Sequence, residues 1–256
     1  MESIAYSQNG AHVTITLNKP PANSYELSFL TALGNIIETI NQDPTCKIVL
    51  INSDSEKFFC AGADIKVFGN NTVEQNKEMV VAARRVCHLI NTSSKIFIAA
   101  FRGHILGGGL ELAMACDIRL AAEGQYLIGL PEIKLGLIPG NGGTVRLINL
   151  IGASRAMELL VTGNTITATT AHQYGLINHL YPTATFEEEV NKYCSTLALG
   201  AGEAMASIKK FVLQSQGMST AEALNLETAL VNPLYETPDG IEGFQAFIEK
   251  RTPNFK

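Results

Sequence analysis

The sequence is poor in charge and lacks the local patterns by which several large function classes declare themselves. Asp, Glu, Lys and Arg supply only 17% of its 256 residues, the net charge is -5, and no Lys/Arg-rich block occurs. A nucleic-acid partner would require a basic footprint, so none is expected. The short basic pairs Lys209-Lys210 and Lys250-Arg251 read as solvated helix ends, with a grip on a phosphate group as the alternative. The five cysteines, Cys46, Cys60, Cys87, Cys116 and Cys194, contain no C-x-x-C pair. Disulfide scaffolding and a zinc site are therefore not expected, and the thiols suit a reducing compartment.

Other absences narrow the field further. No Gly-Lys-Ser/Thr closes a glycine loop, no G-x-G-x-x-G opens a strand–helix unit, and no G-x-S-x-G elbow is present. A P-loop, a dinucleotide fold and a serine hydrolase thus have no support. The opening residues Met1 to Tyr6 carry an acid and read as an entering strand rather than a secretory leader. A cytoplasmic location is expected, with an organellar matrix as the alternative. Residues 159–186 hold no charged side chain, but Asn164, His172, Gln173, Asn178 and Pro182 make the run too polar to span a bilayer.

What is present is a 46% apolar chain with enough length for a full core. Alternating side chains over 12–17 and short apolar runs at 47–52 and 96–100 predict strands. Shorter strands are predicted at 117–121 and 126–129. Asn23, with Glu26 three residues on, resembles a capping box ahead of a helix marked by Leu27, Leu30, Leu33, Ile36, Ile37 and Ile40. A second helix is predicted over 74–92, and from Ala153 onward the pattern is almost wholly helical. Strands alternating with helices, then a run of helices, predict an α/β core at 1–199 and a C-terminal helical subdomain at 200–256.

Two carboxylates stand out against this background. Glu111 lies in Gly107-Gly108-Gly109-Leu110-Glu111-Leu112-Ala113 and is the only acid between Arg102 and Asp117; Glu132 lies in Leu127-Ile128-Gly129-Leu130-Pro131-Glu132. An ionised carboxylate in an apolar setting is costly without a partner. Two of them predict a general base and a general acid in one pocket. Satisfied core acids paired with arginines are the competing reading. The glycines before Glu111 permit close backbone approach, and a helix starting there presents free N–H groups to an anion. Ala61-Gly62-Ala63-Asp64 could supply a second such donor, completing an oxyanion hole. His104 reads as a structural or pocket-wall residue.

Taken together these segments resemble the crotonase family, the enoyl-CoA hydratases/isomerases. The resemblance rests on Phe59-Cys60-Ala61-Gly62-Ala63-Asp64-Ile65-Lys66, on Gly103 to Ala113 with Cys116-Asp117-Ile118-Arg119, and on Leu130-Pro131-Glu132 through Gly142-Gly143-Thr144. The ending, Glu242 to Arg251, is similar as well. It implies a spiral of ββα turns, C-terminal helices at the contacts of a homotrimer or dimer of trimers, and an acyl-CoA ligand. Coenzyme A is then part of the substrate and no separate cofactor is implied. The thioester oxygen would accept from the N–H groups of Ala63 and Gly108. Glu111 would be the base toward water and Glu132 the acid toward the α-carbon of a trans-2-enoyl-CoA. Ala61, Asp64, Ile65 and Lys66 would lie along the CoA, and Gly140 would help place the water. Isomerase, decarboxylase or specialised hydratase chemistry are the alternatives within the family; RNA binding or assembly is the non-enzymatic one. Pro20 to Tyr25 departs from the Asn-Ala-Leu common in simple hydratases, and acyl length is not specified by the resemblance.

Overall fold

A computed structural model describes residues 3–256. Three consecutive ββα turns form its centre. The first holds β3 (Ile48–Ser53), β4 (Phe58–Cys60) and the helices α2 (Ile65–Asn70) and α3 (Val73–Thr92). The second holds β5 (Ile96–Phe101), β6 (His104–Leu106) and α4 (Gly108–Ala115). The third holds β7 (Ile118–Ala122), β8 (Ile128–Gly129), a 3-10 turn at Glu132–Leu135 and α5 (Gly143–Ile151). Each turn gives its first strand to one sheet and its second to another. The larger sheet runs β1-β2-β3-β5-β7-β9, with β1 (Ile4–Asn9), β2 (His12–Leu17) and β9 (His179–Tyr181); the smaller runs β4-β6-β8. Among the described residues β1/β2 is the one antiparallel strand pair, beside an isolated antiparallel bridge between Ile128 and Ile166. This is the expected spiral α/β fold.

The apolar runs of the strands follow from burial on both faces. On β3, Val49 and Ile51 enter the main core against α1 (Leu27–Gln42), α3 and α4, while Ile48 and Leu50 face the other way. That second face is covered by Phe186, Val190 and Cys194 of α8 (Phe186–Ala198). The smaller sheet positions the site. Its strands are parallel, so the three chain segments that leave them emerge at one end: Ala61–Ala63 after β4, Gly107 and α4 after β6, and Pro131-Glu132 after β8.

Helices α9 (Gly202–Gln214), α10 (Thr220–Val231) and α11 (Pro238–Glu249) end the chain. A buried cation ties α9 to the large sheet. The Lys209 ammonium donates to the carbonyls of Ile90 and Lys95 and to Asp117 Oδ2, each at 2.8 Å. All three donors of the group are thus used, which offsets the cost of removing it from water. Asp117 Oδ2 also accepts the Phe97 N–H at 2.8 Å, so one carboxylate joins strand and helix.

One local expectation is corrected. Asn23 does not cap α1; Glu26 occupies the cap position without a side-chain hydrogen bond. The Asn23 side chain is buried instead, accepting from Lys19 N–H at 2.6 Å and donating to Ser53 Oγ at 2.8 Å and Phe59 O at 2.9 Å. Three satisfied contacts inside the fold outcompete one cap at its surface. The region 58–64 opens with the short strand β4, which leaves no periodic signal in the sequence. Helix α5, masked by the glycines that precede it, was not expected at all.

Candidate active site

The three emerging segments surround a cavity of about 410 Å³. Ala61, Ala63, Ile65, Gly108, Glu111, Glu132 and Gly140 all line it. Asp64 and Lys66 do not. The Asp64 carboxylate caps α2, accepting from the N–H groups of Lys66 at 3.0 Å and Val67 at 3.3 Å, and Lys66 is exposed. His104 is also outside the lining: its Nδ1 accepts the Leu127 N–H at 2.9 Å and helps join β6 to β8.

Backbone geometry explains which N–H groups remain for a ligand. Ala63 pairs with Tyr25 in a parallel bridge, using the Gly62 carbonyl and the Asp64 N–H. In such a pair the intervening N–H of Ala63 points to the opposite side. Gly108 opens α4, so its N–H is one of the orphan donors of a helix start. The two loops meet at Gly62: a Cβ there would stand 2.9 Å from Gly108 N, and its φ of 85° is itself left-handed. Glycine at 62 is therefore what lets the two donors approach one another.

Glu111 is 1% exposed, yet it is well supplied with donors. Its Oε1 accepts the N–H of Asn141 at 2.7 Å and of Gly143 at 2.8 Å, while Oε2 accepts Asn141 Nδ2 at 2.8 Å. Burial raises its pKa; the three N–H bonds and the nearby Arg146 guanidinium oppose that rise. Arg146 acts partly through the loop, donating to the Asn141 carbonyl at 2.7 Å. The predicted alternative, a core acid paired directly with an arginine, is thus not what the fold builds. Backbone amides hold Glu111.

Glu132 has the opposite environment. Its Oε2 is buried with no hydrogen-bond partner among the described residues. Its Oε1 lies over Gly107, 3.2 Å from where a Cβ of that residue would be. Burial pushes its pKa up to about 7, and the charge of Glu111 adds to the rise. Burial raises the pKa of both acids in the cavity; at Glu111 three N–H donors oppose the rise, whereas at Glu132 the buried Oε2 has none.

With this geometry in view the comparisons are specific. The family model for enoyl-CoA hydratase/isomerase matches residues 7–256. The chain belongs to the enoyl-CoA hydratase/isomerase family. A crotonyl-CoA hydratase of Syntrophomonas wolfei is 34% identical over 257 residues, covering 99% of this chain and 98% of that protein. A probable mitochondrial enoyl-CoA hydratase of Dictyostelium discoideum is 37% identical over 94% of this chain and 86% of its own length. The crystal structure of an enoyl-CoA hydratase from Bacillus anthracis superposes with a TM-score of 0.96 at 36% identity, covering 100% of this chain and 99% of that one. The family is enzymatic, and the ββα spiral seen here is its fold.

Sequence reasoning missed Tyr25, Asn141 and Gly143 as members of the site. Asn141 links two of its parts: its side-chain nitrogen donates both to Glu111 and to the Tyr25 hydroxyl, the latter at 3.1 Å. A glycine-flanked Asn following a glutamate motif was visible in the sequence, but nothing there indicated that the loop folds back on Glu111. Among the described residues no group of three or more His, Cys, Asp or Glu side chains could hold a metal ion, and no helix is long and apolar enough to cross a membrane.

Proposed function

We propose that this protein is an enoyl-CoA hydratase, adding water syn across a trans-2-enoyl-CoA to give a 3-hydroxyacyl-CoA. The observation that carries the reading is the unequal pair: Glu111 held by three N–H donors, and Glu132 with its buried Oε2 unpartnered. Glu111, as carboxylate, takes a proton from water as the oxygen attacks C3. Electrons of the double bond move toward the thioester, where the N–H groups of Ala63 and Gly108 stabilise the enolate oxygen. Glu132, as the neutral acid, delivers its proton to C2. Water contributes H and OH across the bond, and proton return from Glu111 to Glu132 through solvent resets the pair. Gly140, in the cavity wall beside the Asn141 that holds Glu111, supports placement of the water.

Loss of enoyl-thioester absorbance with crotonyl-CoA tests this, with Glu132→Gln as control. Rapid loss in the wild type alone supports hydration by these acids. No loss in folded, CoA-binding protein contradicts it and favours isomerase or decarboxylase chemistry. The pH dependence has a definite sign. Glu132 must be protonated to act, so kcat/KM falls tenfold per unit above about pH 7, because its pKa is raised to about 7; it falls again in acid as Glu111, whose pKa burial also raises, takes up a proton. A flat profile from pH 6 to 9 would contradict the acid role.

The same reading includes self-association through the C-terminal helices. Phe244, Phe247 and Ile248 of α11 are 60%, 84% and 78% exposed, an apolar surface large for a free monomer. Light scattering is expected to give three or six times the 27.6 kDa chain mass; a monomer at micromolar concentration would refute it.

A further inference from the structure

The cavity is bounded on one side by a residue whose size, rather than chemistry, sets what fits. Tyr25 lines the 410 Å³ cavity and also a second, much smaller void of about 10 Å³. The walls of that void are otherwise almost wholly apolar: Phe29, Leu30 and Leu33 of α1, Val86 and Cys87 of α3, and Leu112 of α4. Tyr25 thus stands between the site and the apolar core. It is held there at both ends. Its backbone pairs with Ala63, and its hydroxyl accepts from Asn141 Nδ2 at 3.1 Å. The ring tip is seated against Gly108, where any Cβ would collide with the hydroxyl.

The direction of an acyl chain follows from the reading of the cavity as an enoyl-CoA site, on which this inference rests. The thioester oxygen is fixed at Ala63 and Gly108, and C2 and C3 lie between Glu132 and Glu111. The tail therefore leaves C3 past Glu111. One amide beyond Glu111 is the Tyr25 hydroxyl, because both accept from the same Asn141 side-chain nitrogen. Two bonds leaving a planar amide at about 120° put those oxygens roughly 5 Å apart. An extending tail meets the phenol ring within a few carbons.

We propose that Tyr25 is the end wall of the acyl cavity and determines the acyl length this enzyme accepts, restricting it to short chains. The volume filled by the ring is backed by apolar side chains, so a smaller residue at 25 opens a path suited to further methylenes. Nothing charged would have to be moved.

Binding of saturated acyl-CoAs tests this independently of turnover. Dissociation constants for butyryl-, hexanoyl-, octanoyl- and decanoyl-CoA are measured by calorimetry for wild type, Tyr25→Leu and Tyr25→Phe. Each methylene that finds apolar surface strengthens binding about fourfold. In the wild type that gain stops early in the series. In Tyr25→Leu it continues, raising the preference for decanoyl- over butyryl-CoA at least tenfold relative to wild type. Tyr25→Phe, which keeps the ring, retains the wild-type break. Tyr25→Met, which fills more of the space than leucine, takes its place if the leucine variant does not fold. Identical length profiles in wild type and the leucine or methionine variant overturn the proposal, as does a phenylalanine profile matching theirs. Failure of the wild type to bind any acyl-CoA overturns the enoyl-CoA reading itself, and this inference with it.

Discussion

Glu132→Gln is expected to lower kcat for crotonyl-CoA hydration by about 10²–10⁴-fold with KM little changed. Glutamine matches glutamate in shape but has no acidic proton to deliver to C2, so the loss falls on the transition state rather than on binding. Glu111→Gln is expected to reduce kcat to a similar degree, but the two variants should differ in stability. Glu132 leaves its Oε2 buried and unpartnered, so replacing the costly carboxyl by an amide forfeits no bond at that oxygen. Its variant should melt no lower than the wild type. Glu111 accepts from three N–H groups, and a glutamine amide there turns a donor toward donors. An unmade bond of this kind in a buried site costs about 1–3 kcal/mol, so Glu111→Gln should melt measurably lower. Near-normal turnover in either variant would remove that residue from its assigned role. A lower melting temperature for Glu132→Gln than for Glu111→Gln would contradict the hydrogen-bond assignment.

Gly108→Ala carries the second large effect. A Cβ at 108 runs into the hydroxyl of Tyr25, and neither neighbour has room to yield, since Tyr25 is 5% exposed and tied to Asn141. The start of α4 must shift, and the Gly108 N–H moves with it. Loss of one oxyanion donor lowers turnover by about 10²–10³, and a loss of that size is expected here. Tyr25→Leu in the same chain removes the obstructing atoms and should recover part of the lost kcat. Full activity in the single variant, or no recovery in the double one where both fold, would show that the collision does not control the donor.

The fold and the site were legible in the sequence to different depths. Long elements were read from periodicity because burial leaves a period: α1 and α3 carry their core positions at helical spacing, and β2 alternates. Strands β4, β6 and β8 are two or three residues long, too short to show any period. They are nonetheless the elements that gather the site. The two glutamates were conspicuous because a carboxylate in an apolar run is costly, and that cost is visible without coordinates. Their difference was not visible. It arises from donors about thirty residues away, Asn141 and Gly143, which reach Glu111 only after the chain has turned through two more strands, β7 and β8. Asp64 shows the converse. It sits inside a motif and looks functional by position, while its carboxylate is occupied in capping α2.

The proposed division of Glu111 and Glu132 into carboxylate and neutral acid is read most directly by infrared difference spectroscopy across a pH titration of wild type and Glu132→Gln. A protonated-carboxyl band that disappears with a midpoint near pH 7 in the wild type, and is missing from Glu132→Gln at every pH, is the result expected from a pKa of about 7 at Glu132. A band of the same midpoint that persists in Glu132→Gln, or no carboxyl titrating between pH 5.5 and 8.5, would contradict the division of the pair into base and acid.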